Sequence, residues 1–188
     1  MIYTTLNHVR RWSPDPSGWR ALLKHLGKKK GDREPVSFAA ILSSYGLDDT
    51  LLLTRAAPKY AREWRLFAVW CARQVQHLTT DPRSIAAIDV AERYAYGNAT
   101  AEDLQAASAG SLEAVWDAPS GSAQAVAREC ANATTMADAG LSTFYAAVFE
   151  RDAVAKCAAR PVEKNTFMQA AIDEQTAEFL RLVKESGE

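Results

Sequence analysis

Between Lys59 and Leu78 the apolar residues Tyr60, Trp64, Phe67, Cys71, Val75 and Leu78 recur at steps of three and four. That spacing places them on one face of an α-helix, because side chains three and four apart lie above one another. Leu66, Val69 and Trp70 form a second apolar stripe on the same segment. A helix that is apolar on two sides needs neighbours on both, so it predicts a central element packed by several others. Burying each such large side chain is worth about 1.5–3 kcal/mol.

The rest of the chain fits helices around that one. Asp15-Pro16 and Asp81-Pro82 each pair an N-cap with proline at the first helical position. The first opens a helix through Trp19 and Leu22 that stops at Gly27, and the second opens one that stops at Gly97. Ser37 starts a short helix ended by Gly46, and Asp48 or Asp49 starts another ended before Pro58. Thr100 with Asp103 resembles a capping box and opens a helix past Trp116 to Pro119. Two helices fit 123–139 and 141–160, divided by Gly140, and a last one follows Pro161 with Phe167, Ala171, Ile172, Phe179 and Leu182 as its apolar side. Met1 to Trp12 reads equally as a short helix or an extended arm. No stretch alternates apolar and polar residues convincingly. The expectation is an all-α fold of about eight helices in stacked antiparallel hairpins, a helical bundle or short solenoid.

Composition divides the chain in two. Of 35 alanines, 27 follow residue 84, whereas four of the five tryptophans (Trp12, Trp19, Trp64 and Trp70) precede it. Residues 1–80 hold 13 Lys/Arg and 6 Asp/Glu, a balance of +7, and residues 81–188 hold 9 and 17, a balance of −8. The reading is a basic, Trp-rich part over 1–97 and an acidic, Ala-rich part over 98–188 packed as one unit. Close-packed alanine helices are also suited to pairing in a homodimer. Charge so divided marks surfaces for association.

Reactive chemistry is scarce. The nine glycines form neither a dinucleotide fingerprint nor a phosphate loop. His8, His25 and His77 are far apart, there is no Cys-x-x-Cys, and no metal or cofactor site is expected. Cys71, Cys130 and Cys157 are odd in number and widely spaced, which fits a reducing cytoplasm better than a disulfide framework. Cys157 beside Lys156 is the one candidate nucleophile. The adjacent carboxylates Asp48-Asp49 and Glu102-Asp103 fit helix starts, not acid/base partners. An enzyme is therefore not expected, and no catalytic residue is assigned. No apolar run is long enough for a membrane span and no secretion signal is visible.

Two charged sets are candidates for partner binding: Arg10, Arg11, Lys28, Lys29 and Lys30 in the basic part, and Glu102, Asp103, Glu113 and Asp117 in the acidic part. Basic charge beside Trp12 and Trp19 can hold phosphates and stacked bases. The acidic half and a pI near 6.3 weigh against direct nucleic-acid binding. Conversely, the acidic half suits occupation of a basic, nucleic-acid-binding groove on another protein.

Three stretches carry a family resemblance: Leu26 to Asp32 (LGKKKGD), Ser43 to Leu53 (SSYGLDDTLLL) and Glu63 to Gly97, with its Trp-Cys-Ala-Arg and Thr-Asp-Pro-Arg-Ser runs. They resemble a family of phage and prophage immunity proteins in which similar segments precede long Ala-rich helical repeats. Beyond Gly97 this chain departs from the pattern, since Gly110, Pro119, Gly121 and Gly140 break the repeats. The resemblance implies a phage-borne accessory protein acting in the bacterial cytoplasm by binding. Its partner would be a host defence complex such as CRISPR-Cas, blocked in the manner of anti-CRISPR proteins, or alternatively a toxin that it neutralises.

Overall fold

A computed structural model describes residues 1–12, 15–158 and 160–186. It is all-α apart from one small sheet. Among the described residues there are nine α-helices: α1 (Leu6–Trp12), α2 (Pro16–His25), α3 (Phe38–Leu53), α4 (Ala61–Val75), α5 (Pro82–Ala95), α6 (Ala101–Trp116), α7 (Ala123–Ala133), α8 (Ala139–Lys156) and α9 (Pro161–Glu185). Gly46, at φ +74°, breaks α3 into two rods, so there are ten helical pieces where about eight were expected. The break at Gly46 lies where the sequence placed it, and the opening segment, left open between helix and arm, supplies the further helix α1. Residues Tyr3–Thr5 form β1, which pairs antiparallel with β2 (Pro35–Ser37) in the register Tyr3↔Ser37, Thr4↔Val36, Thr5↔Pro35, and α1 follows directly. Three residues are too few for alternation to be visible in the sequence. None of the described helices is long and apolar enough to cross a membrane.

The caps expected at Asp15, Ser37 and Asp81 are in place, whereas Asp48 and Asp49 lie inside α3 beyond the Gly46 break. Asp15 accepts from the amides of Ser17 and Gly18, and Asp81 from that of Arg83. Helix α4 is central and packs on α5, α7, α8 and α9. Trp64 is buried on its inner face, stacked on Phe179 of α9 at 5.9 Å and close to Phe38 of α3 at 5.0 Å. Its indole N–H donates to the Ala57 carbonyl at 3.0 Å. One continuous apolar cluster runs from Ile2 to Val183 and draws on both halves of the chain.

Polar cross-links join the halves where alanines bring backbones close. Arg65 of α4 is buried and donates to the carbonyls of Thr134 (2.6 Å) and Met136 (2.8 Å). Thr143 of α8 donates to the Trp64 carbonyl at 2.8 Å. Gly140 does not divide two helices, as its position had suggested. Helix α7 ends at Ala133, and Asp138 caps α8 by accepting from the amides of Gly140 and Leu141. Gly140 is buried against the 3₁₀ turn Thr54–Ala56, where a Cβ would lie 3.0 Å from the Arg55 backbone nitrogen. Its lack of a side chain serves packing, not helix termination.

Candidate functional site

Helix α6 is held on one side only. Thr100 and Asp103 form a reciprocal capping box, the hydroxyl accepting from the Asp103 amide at 3.1 Å and the carboxylate from the Thr100 amide at 2.8 Å. Those hydrogen bonds hold the Asp103 carboxyl below the usual range. Buried Leu104, Ser111 and Ala114 face α5 and α7. Ser111 donates to the Asn132 side chain (2.6 Å), and Arg128 of α7 donates to the Ala114 carbonyl (2.7 Å). The opposite face carries Glu102, Gln105, Ala106, Ala109, Leu112, Glu113 and Trp116, all exposed.

That face is unusual in two respects. Trp116 is 73% exposed and lies one turn beyond Leu112, which is 39% exposed. The helix also contains no lysine or arginine. Among the described residues the one ion-pair partner of its exposed acids is Arg83 of α5, which reaches Asp117 at 2.7 Å, Asp81 at 2.9 Å and Glu113 at 3.8 Å. Glu113 and Asp117 therefore share one guanidinium, while Glu102 has no ion pair among the described residues. The result is an apolar ridge, small at Ala106 and Ala109 and large at Leu112 and Trp116, with acidic flanks.

The basic candidates lie elsewhere. Arg10 is placed over the Trp19 ring at 5.9 Å. Lys28 is engaged by Asp32 and Glu34, the latter at 2.7 Å. Arg11, Lys29 and Lys30 are exposed. The loop carrying the lysines lies on α1, because the Asn7 amide donates to the Asp32 carbonyl at 3.1 Å. The structure thus gathers Arg10 and Lys28 to Lys30 into one region and Glu102, Asp103, Glu113 and Asp117 along another. It does not bring the two sets together: α1 and α2 pack on α3, whereas α6 packs on α5 and α7.

Other concave and reactive features offer less. A cleft of ≈ 530 Å³ where α4, α5 and α9 meet is lined by Trp70, Tyr96 and charged side chains. Two of its three arginines are engaged by carboxylates, Arg73 by Asp89 and Glu92, both at 2.7 Å, and Arg181 by Glu178 at 2.6 Å, and the third, Arg62, lies over the Tyr96 ring at 5.3 Å. No group of three or more His, Cys, Asp or Glu capable of holding a metal occurs among the described residues. Cys71 and Cys130 are buried, and burial pushes both thiols well above their ordinary value. Cys157 is exposed at the end of α8.

Trp116 and Leu112 were not singled out from the sequence. Helix α6 carries one stripe through Leu104, Ser111 and Ala114 and another through Ala109, Leu112 and Trp116. Apolar periodicity alone favours the second as the inward face, since it holds the larger side chains. The fold buries the first instead. Set against protein-family models, curated proteins and solved structures, the chain matches none.

Proposed function

We propose that the protein is a non-catalytic, phage-borne inhibitor that uses the α6 ridge to bind a host defence complex of the CRISPR-Cas kind in the bacterial cytoplasm. The observation that carries this reading is Trp116, the most exposed large apolar side chain described, placed beside Leu112 on an acidic helix face that the fold leaves uncovered. Exposed aromatics set in a contiguous face mark interaction sites. Tryptophan is also among the residues that dominate interface energetics. The acidic flanks complement a basic groove built to hold nucleic acid, steer the encounter, and deny that groove to its natural ligand. Reading the helices as stacked antiparallel hairpins fits this use, because an outer helix of such a stack presents one whole face.

The test is phage or plasmid interference in a host with an active CRISPR system, with and without the chain. Expression should restore phage plating. Trp116→Ala should abolish the rescue and weaken binding to the purified complex about 30-fold or more, equivalent to about 2 kcal/mol. Titration of the complex should end at a fixed stoichiometry. Inactivation by a substoichiometric amount would replace this reading with an enzymatic one. Protection against a toxin without any effect on interference would replace the partner.

A further inference from the structure

The basic region is more organised than a solvated loop requires. The segment from Lys28 to Glu34 is clamped at both ends: the Lys28 amide donates to the Leu23 carbonyl at 2.8 Å, and the Asn7 amide to the Asp32 carbonyl at 3.1 Å. Gly31 lies flat between α1 and α2, where a Cβ would come 3.0 Å from the Asn7 side-chain oxygen and 3.3 Å from the Trp19 ring. The clamp has an electrostatic consequence. Both acids of the loop, Asp32 and Glu34, are drawn onto Lys28. Lys29, Lys30 and Arg33 are left exposed and have no ion pair among the described residues. Beside them Arg10 lies over Trp19, and at the end of the same helix Trp12, 42% exposed, lies over the Arg55 guanidinium at 4.1 Å.

We infer that this clamped loop and the end of α1 form a second interaction surface that takes the phosphate backbone of a single-stranded nucleic acid. Ordered cations track phosphates, and flat aromatic–guanidinium pairs offer stacking surfaces for unpaired bases. An acidic protein surface would satisfy the cations too, but it brings no flat unpaired bases to stack on the aromatic pairs. The chain's net charge of −1 does not cancel the local field. Charges separated by more than about 8 Å are largely screened at physiological ionic strength, and the acids of α6 belong to a different face. This surface is independent of the α6 ridge, and so is its test.

The experiment is fluorescence anisotropy of a labelled oligothymidylate with the full chain across a salt series. Affinity should fall linearly with the logarithm of salt concentration, with a slope of about −2 if three phosphates are neutralised on a single strand. The combined change Lys29→Glu, Lys30→Glu and Arg33→Glu should weaken binding at least tenfold while leaving the thermal melt in place, since all three side chains are exposed. Arg11→Glu alone should weaken it less. Trp116→Ala should bind the oligonucleotide as the parent does, so that failure here and failure of the α6 reading are told apart. No binding at low salt overturns the inference, as does a triple variant that binds like the parent. Polyglutamate binding as tightly as the oligonucleotide also overturns it and makes the surface an acidic-protein site.

Discussion

Glu150 is 1% exposed on α8, in contact with three other helices. Gln175 of α9 donates its side-chain amide to the carboxylate at 2.6 Å and to the Ala147 carbonyl at 2.9 Å. Cys71 of α4 and Cys130 of α7 approach from the other sides, and Glu174 adds a like charge. The neighbouring Arg151 turns away to pair with Asp48. Burial therefore dominates and pushes the carboxyl from 4.5 up to about 7. At about 1.4 kcal/mol for each pH interval between the two values, keeping this group ionised in the fold costs about 3 kcal/mol. The folded state holds the proton more tightly than the unfolded one. The contribution of this group to stability is thus highest below about pH 4.5, declines as pH rises through about 7, and is lowest above it. Glu150→Gln removes that dependence. Its new amide can also donate to the Gln175 side-chain oxygen, which has no hydrogen-bond partner among the described residues. Urea unfolding of both proteins at pH 5 and pH 8 checks this. The two should be similar at pH 5, and the variant should be more stable by up to about 3 kcal/mol at pH 8. A parent whose lead or deficit against the variant is the same at both pH values would refute the reasoning.

Three further outcomes follow from the packing. Gly140→Ala forces a Cβ against the Arg55 backbone and should cost about 1–3 kcal/mol, read as a lowered urea midpoint; an unchanged midpoint would show that α8 shifts freely. Asp81 caps α5 and binds Arg83 and Arg128, and the Arg83 hydrogen bond leads in drawing its carboxyl down to about 2. Its stabilisation is present above about pH 3.8 and lost as pH falls through about 2, so Asp81→Ala should cost about 1–2 kcal/mol at neutral pH, and Asp81→Asn should flatten the acid limb of an unfolding profile. With a thiol reagent the native protein should show one fast-reacting cysteine, Cys157, and all three only in denaturant; a second fast thiol would place Cys71 or Cys130 in an opening part of the core.

Much of the helical framework was legible because local chemistry specified it. Asp15-Pro16, Asp81-Pro82 and Thr100 with Asp103 each mark a helix start whose orphan amides are satisfied within three residues. The periodicity of residues 59–78 gave α4 its central place for a similar reason. Tertiary demands were less readable. Gly140 resembles a terminator until the close approach of Arg55 is known, and Phe167, grouped with the inward face of α9, is in fact exposed. Trp12 is also largely outside the core, while Trp19 and Trp70 are half-buried, so tryptophan content did not by itself locate the buried centre. At the candidate site the charges of α6 were visible in sequence. Which of its two stripes faces outward was not, because that depends on how α7 presents Arg128 and Asn132 to it.

The stacking of Trp64 on Phe179 bears on how the molecule is made. Phe38, Trp64 and Phe67 are synthesised well before the ring that all three contact, which belongs to α9. Beside it, the Ile2 amide donates to the Val183 carbonyl at 2.7 Å. On the ribosome these aromatics lack that partner ring until α9 has been translated. Closure is a late, long-range step in a protein whose individual helices can form at once, so its slow phase should belong to the arrival of α9 and not to helix formation.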